Sequence, residues 1–228
     1  MSNFSPLEER LGVSFENKDL LKQAFIHRSY INEHPDAGME HNERLEFLGD
    51  AILELVVTVY LYRTYENPEG ELTSWRAALV NSKMLSRVAG DLGFNEYMLL
   101  SKGEAKDEGR ARQFILADAV EAFIGALYLD QGFDAAKGFI DRFILTYMQE
   151  VLDKKLYRDP KSTFQEQAQE KMGTTPIYNV LEENGPDHDK VFRVGVFIGE
   201  EMVAEGRGSS KQEAQEEAAQ LALEKKGW

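Results

Sequence analysis

The chain has 228 residues, 43% of them hydrophobic and thirteen of them Phe, which is ample for a buried core in one large or two modest domains and excludes a disordered chain. It has no cysteine, which excludes disulfides and thiolate metal sites and suits a reducing compartment. Its formal net charge of −14 argues, on composition alone, against a nucleic-acid binder, a class that is normally basic.

The opening "MSNFSPLEERLG" lacks the basic start and apolar stretch of a signal peptide. The longest apolar run, "AILELVVTVYLY", includes Glu54 and is too short to cross a bilayer. The expectation is a cytoplasmic protein with no membrane contact. Over residues 1–152 apolar residues recur at helical spacing in "DLLKQAFIHRSY", "RLEFLGDAILELVVTVYLYRTY", "TSWRAALVNSKMLSRVAGDLG", "FILADAVEAFIGALYLDQG" and "AAKGFIDRFILTYMQEVL". "HPDAG" and "ENPEGE" are expected to be turns between them. "DKKLYRDP", residues 153–160, is polar and ends in proline, as a linker would.

Residues 161–228 follow a different pattern. A short helix, "STFQEQAQEKMG", precedes three strand-like stretches, "PIYNVLEENGPDHD", "KVFRVGVFIGEE" and "MVAEGRG". In the second stretch Phe192, Val194 and Val196 alternate with Arg193, Gly195 and Phe197, and "GEE" is expected to turn a hairpin. The last segment, "SSKQEAQEEAAQLALEKKGW", puts Ala214, Ala218, Leu221 and Ala222 on one helical stripe. The predicted fold is an all-α N-terminal domain followed by a small α+β domain of order α-β-β-β-α.

Two acidic stripes stand out in the helical part. Glu43, Glu46 and Asp50 fall within roughly 60° of one another on a helix whose other side carries Leu45, Leu48, Ile52 and Val56. Asp118 and Glu121 repeat the pattern, backed by Leu116, Val120, Phe123 and Leu127. Gly125 continues that stripe, where the missing side chain would let something approach closely. Like charges stacked on one face are destabilising, and two such faces brought together are more so, unless a cation sits between them. Oxygen ligands without Cys or His suit a hard ion, Mg²⁺ or Mn²⁺. Two such ions can activate water and steady a departing oxygen in phosphodiester hydrolysis. Equally, the acids could face solvent or pair with Arg44, Arg110 and Arg112.

"NERLEFLGDA" resembles the signature of the ribonuclease III family, and "ILADAVEAFIGALYLDQG" is similar to its second acidic segment. "LGVSFENKDLLKQAFIHRSYINE" and "LTSWRAALVNSKMLSRVA" resemble the helices before and between them. The resemblance implies a helical endonuclease domain over 1–152, with Glu46, Asp118 and Glu121 as metal ligands and Asp50 and Glu121 as catalytic residues. It places Glu43 and Glu69 as secondary acids near the site, and Phe47 where the family inserts an aromatic into the partner subunit, although a Phe there also suits core packing. Ala51 and Phe114 stand where many members have Ser; neither removes a carboxylate, so activity is expected to survive.

Residues 161–228 resemble a double-stranded RNA-binding domain. Gln165 and Glu166 in "STFQEQ", His188 in "GPDHD", and Ser210 and Lys211 in "GRGSSKQEA" fall at the family's RNA-contacting positions. Such a module reads shape, 2′-hydroxyls and phosphates, because A-form RNA hides its base edges in a deep groove. Gln212 replaces a frequent second Lys, and residues 160–228 hold eight Lys and Arg against thirteen Asp and Glu. RNA binding is therefore expected to be weaker and more salt-sensitive than is usual for such a domain. The implied function is a homodimeric, Mg²⁺-dependent endoribonuclease cutting double-stranded RNA to 5′-phosphate and 3′-hydroxyl ends, with precursor RNAs including ribosomal RNA as substrates and no small-molecule cofactor. The alternatives are a non-catalytic RNA-binding protein that kept the fold, or a helical dimerisation scaffold.

Overall fold

The structure is a computed structural model describing residues 3–106, 109–185 and 190–228. Its contacts divide the chain into two units, Met1–Tyr157 and Arg158–Trp228. No described helix is long and apolar enough to cross a membrane.

The first unit is helical: α1 (Ser5–Leu11), α2 (Lys18–Ala24), α3 (Arg28–Glu33), α4 (Glu43–Thr64), α5 (Glu69–Val80), α6 (Ser82–Asp91), α7 (Arg110–Gln131), α8 (Phe133–Phe143) and α9 (Met148–Asp153). Two long helices organise it. α4 carries Glu43 and Glu46 in its first turn and Arg63 in its last, complementing the helix dipole at both ends. Its start is pinned by Asn42, which is buried; the side chain donates to the Ala24 carbonyl at 3.1 Å and the backbone N–H to that of Ile26 at 2.9 Å. α7 is buried on nearly every side from Ile115 to Leu127, apart from Asp118 and Glu121. Phe123 sits at the centre of this core, with the rings of Phe15, Phe25, Phe94 and Phe139 between 4.9 and 6.3 Å away. Emptying such a site costs about 3–5 kcal/mol, so this cluster holds α7 in place.

α4 and α7 cross in backbone contact. A Cβ added at Gly49 would come closer than 3.0 Å to the Glu121 carbonyl, and one at Gly125 equally close to that of Leu45. The close approach expected at Gly125 is therefore made by α4 itself. Without side chains at the crossing, the helices come near enough for their acidic faces to meet.

Several boundaries differ from expectation. "EGE" of the supposed turn is the first turn of α5, started after Pro68. The run from Thr73 to Gly93 breaks at Asn81, whose extended backbone and side chain, accepting the Met84 N–H at 2.9 Å, end α5 and cap α6. The last helical run of the unit is likewise split, into α8, a 3₁₀ turn and α9.

The second unit has the order α10 (Pro160–Met172), β1 (Ile177–Asn184), β2 (Val191–Ile198), β3 (Glu201–Gly208) and α11 (Lys211–Lys226), with an antiparallel sheet in the order β1-β2-β3. This is the predicted α-β-β-β-α fold. Asp159 caps α10 by accepting from Lys161 and Ser162. Phe192, Val194 and Val196 are buried, as the alternation requires. Leu221 is not; it is 40% exposed, and Ala219 and Leu223 are buried instead. The buried stripe of α11 runs through Ala214, Ala218 and Ala222 and turns toward Ala219, which leaves Leu221 on its outer edge. β3 meets α11 through Gly206, where a Cβ would strike the backbone at Ala214 and Ala218.

Candidate active site

Glu46 of α4 and Asp118 and Glu121 of α7 converge. Each offers a carboxylate oxygen, and these oxygens lie within 4.8 Å of one another. None of the three forms an ion pair with a cation among the described residues. The electrostatic cost is visible in their protonation. Burial, reinforced by Asp50, Asp118, Glu46 and Glu54, pushes the Glu121 carboxyl up to about 8. Burial, then Asp118, Glu43 and Asp50, push Glu46 up to about 7, and burial with Glu43 raises Asp118. A half-buried, unneutralised trio of oxygens is the donor set a hard divalent ion needs, and such an ion would remove the repulsion that raises them.

The remaining predicted acids sit around this trio. Asp50 is exposed, one turn along α4 from Glu46, and acts electrostatically on both Glu46 and Glu121. Glu43 is turned toward Arg28, whose Nη1 lies 3.5 Å from one oxygen, and toward His41, whose Nδ1 lies 3.8 Å from the other. Sequence spacing could not reveal that pairing, because Arg28 comes from α3. Glu69 is not brought into the trio; it begins α5 and lines a depression of about 680 Å³ with Tyr62, Tyr65 and Arg76. Phe47 is 80% exposed, so core packing does not account for it. Ala51 is exposed, and Phe114 lies with the Arg110 guanidinium 5.5 Å from its ring centroid. Glu54, noted in the sequence only as a charge within the apolar run, belongs to this acidic face. It follows Asp50 by four residues on the same face, acts on Glu121, and pairs with Arg76 at 3.2 Å.

In the second unit Gln165 and Glu166 are exposed on α10. Ser210 caps α11 by accepting from the Glu213 N–H, and Lys211 opens the helix with its ammonium 5.6 Å from the Phe192 ring centroid. Glu213 in turn accepts from Ser209 N–H at 2.9 Å, a capping contact just ahead of α11 that the sequence reading did not identify. His188 lies outside the described residues.

The Ribonuclease-III-like family profile matches residues 17–148, spanning both acidic helices, and the Double-stranded RNA binding motif profile matches 160–226. The chain belongs to the ribonuclease III family. Ribonuclease 3 of Borreliella burgdorferi is 44% identical over 223 residues, covering 97% of this chain and 91% of the relative. Ribonuclease 3 of Oceanobacillus iheyensis is 47% identical over 220 residues, 96% of each chain. The nuclease domain of the Campylobacter jejuni ribonuclease III is 41% identical, with a TM-score of 0.57, over 63% of this chain and 97% of that one. As a ribonuclease III the protein is a hydrolase, an endoribonuclease acting on double-stranded RNA. The acidic composition that argued against such a partner is therefore no obstacle.

The raised carboxyls set a pH dependence. Glu46 and Glu121 have folded values of about 7 and about 8, above the usual carboxylate range, so their contribution to stability is complete below about pH 4.5 and is lost as pH rises to about 8. Without divalent ions, the melting temperature is expected to fall between pH 5 and pH 8.5 by more in the native chain than in Glu121→Gln. Equal slopes in calorimetry would contradict the burial of that charge.

Proposed function

We propose that the trio is the cleavage centre of a magnesium-dependent enzyme, with Mn²⁺ able to substitute. The observation that carries this is the convergence of three half-buried carboxylate oxygens from two helices, none ion-paired among the described residues. Glu46, Asp118 and Glu121 would hold divalent ions, which supply Lewis-acid activation and charge neutralisation for two-metal hydrolysis of a phosphodiester. Asp50, exposed beside Glu46, would orient the attacking water, with Glu43 and Glu69 acting from the periphery. The products would carry 5′-phosphate and 3′-hydroxyl ends. Incubating an end-labelled duplex with and without Mg²⁺, and analysing the ends, tests this; ion-independent cleavage would remove the trio from the chemistry.

Gln165, Glu166, Ser210 and Lys211, with His188, would grip the duplex through 2′-hydroxyls and phosphates, helped by the α11 N-terminus. Precursor RNAs, ribosomal RNA among them, are the proposed substrates, in the cytoplasm. The protein would act as a homodimer. The Campylobacter jejuni nuclease domain has a structurally flexible region involved in dimer formation, and on this chain the exposed Phe47, Leu55 and Tyr62 give α4 an apolar stripe suited to a partner subunit. Ending the chain at Tyr157 is expected to leave a dimeric nuclease that cuts only under permissive conditions such as low salt. A monomer by light scattering would refute the interface.

A further inference from the structure

The acid stripe of α4 continues past Asp50 to Glu54, about 40° round the helix and roughly 6 Å along it. There it meets a cation. Arg76 of α5 brings Nε to 3.2 Å from Glu54 Oε2, and its Nη1 donates to Thr58 Oγ1 at 2.8 Å. The guanidinium is thus fixed at two points, one turn apart on α4. At the opposite end of the stripe Arg28 pairs with Glu43. Among the described residues the stripe is therefore compensated at both ends and has no cation in the middle, where Glu46, Asp118 and Glu121 converge.

We infer that Arg76 is a positioning residue for the cation site, cancelling the charge of Glu54 and so confining the uncompensated charge to the three converging carboxylates. The inference rests on the reading of that trio as a divalent-ion site. Glu54 is near enough to matter, since its charge is among those acting on Glu121. A carboxylate released from its arginine would add to the field on a dication, and its side chain could swing toward an ion and draw it away from the trio. From one turn beyond Asp50 on α4 and with partial screening by solvent, one extra charge changes dication affinity by roughly threefold to tenfold. A pair that only fastened α5 to α4 would alter thermal stability and leave ion affinity untouched.

The test is calorimetric titration of the full chain with Mn²⁺ alone, without RNA, so that binding is read apart from turnover. Arg76→Gln is expected to bind Mn²⁺ about threefold to tenfold more tightly and Glu54→Gln more weakly by a similar factor, with the double variant returning to within about twofold of the native chain. Arg76→Lys, which keeps the charge, should restore the native affinity. Melting curves without ion establish that each variant is folded; if Arg76→Gln does not fold, Glu54→Gln alone decides, and an unchanged affinity there overturns the inference. Unchanged or weaker binding by a folded Arg76→Gln overturns it as well. Failure of the native chain to take up Mn²⁺ would sink the cation site and this inference together, whereas native uptake with unaltered variants sinks only the role of Arg76.

Discussion

Glu121→Gln is expected to abolish cleavage, lowering single-turnover rates at saturating Mg²⁺ by at least about a thousandfold, while duplex affinity stays within about twofold. Gln keeps the shape of Glu and removes only the charge, so the packing of α7 is preserved. Glu121 is one of three oxygen donors and the one whose carboxyl is pushed furthest, to about 8, which makes it the group with most to gain from an ion. Because that burial is unfavourable without an ion, the ion-free variant should melt higher than the native chain at pH 8.5. Adding Mg²⁺ should close the gap by stabilising the native protein alone, since binding to the folded state raises its stability by mass action. Under the proposed reading, duplex binding would draw mainly on the second unit, where Gln165 and Glu166 are exposed and Ser210 caps α11. A mobility shift paired with a cleavage assay separates the two effects. Turnover within tenfold of native would remove Glu121 from the mechanism.

How much of the fold is legible in the residues follows from how local the signals are. Acids at i, i+3 and i+7 on α4 declare a face because the helix period alone aligns them, and alternation in Phe192, Val194 and Val196 declares the buried side of β2 in the same way. That the two acidic faces meet is not local information. It depends on the Gly49–Gly125 crossing, and of that pair only Gly125 was singled out, without a partner. Arg28 and Arg76, which close the ends of the stripe, come from α3 and α5, and no spacing within α4 could have announced them. The end of α5 at Asn81 was missed because apolar periodicity continues across it; a side-chain hydrogen bond to Met84 decides the break. Leu221 was misplaced by taking one stripe of α11 where the buried surface is broader and centred elsewhere. The family signature reaches further than helix periodicity, since it links Glu46 with Asp118 and Glu121 across separate helices, and their oxygens do converge.

Gly49→Ala is the structural counterpart of the Glu121 experiment and should be the most damaging small substitution in the nuclease unit. The added methyl would lie closer than 3.0 Å to the Glu121 carbonyl and to the backbone of Gly125, and neither can rotate away as a flexible side chain would. The helices must part or unwind. Overpacking usually costs about 1–3 kcal/mol, and a clash with fixed backbone belongs at or above the upper end. Two controls isolate the cause. Gly70 of α5 and Gly138 of α8 are also helical, but a Cβ at either meets nothing within 4 Å, so Ala there should stabilise by roughly 0.5–1 kcal/mol through helix propensity. Urea denaturation of the three variants should therefore split in sign. Where Gly49→Ala still folds, parting α4 from α7 also pulls Glu46 away from Asp118 and Glu121, so Mn²⁺ affinity should fall with stability even though no ligand has changed. If Gly49→Ala matched Gly138→Ala in both measurements, the crossing would not be what assembles the site, and the carboxylates would have to be held together by something other than the contact between those two helices.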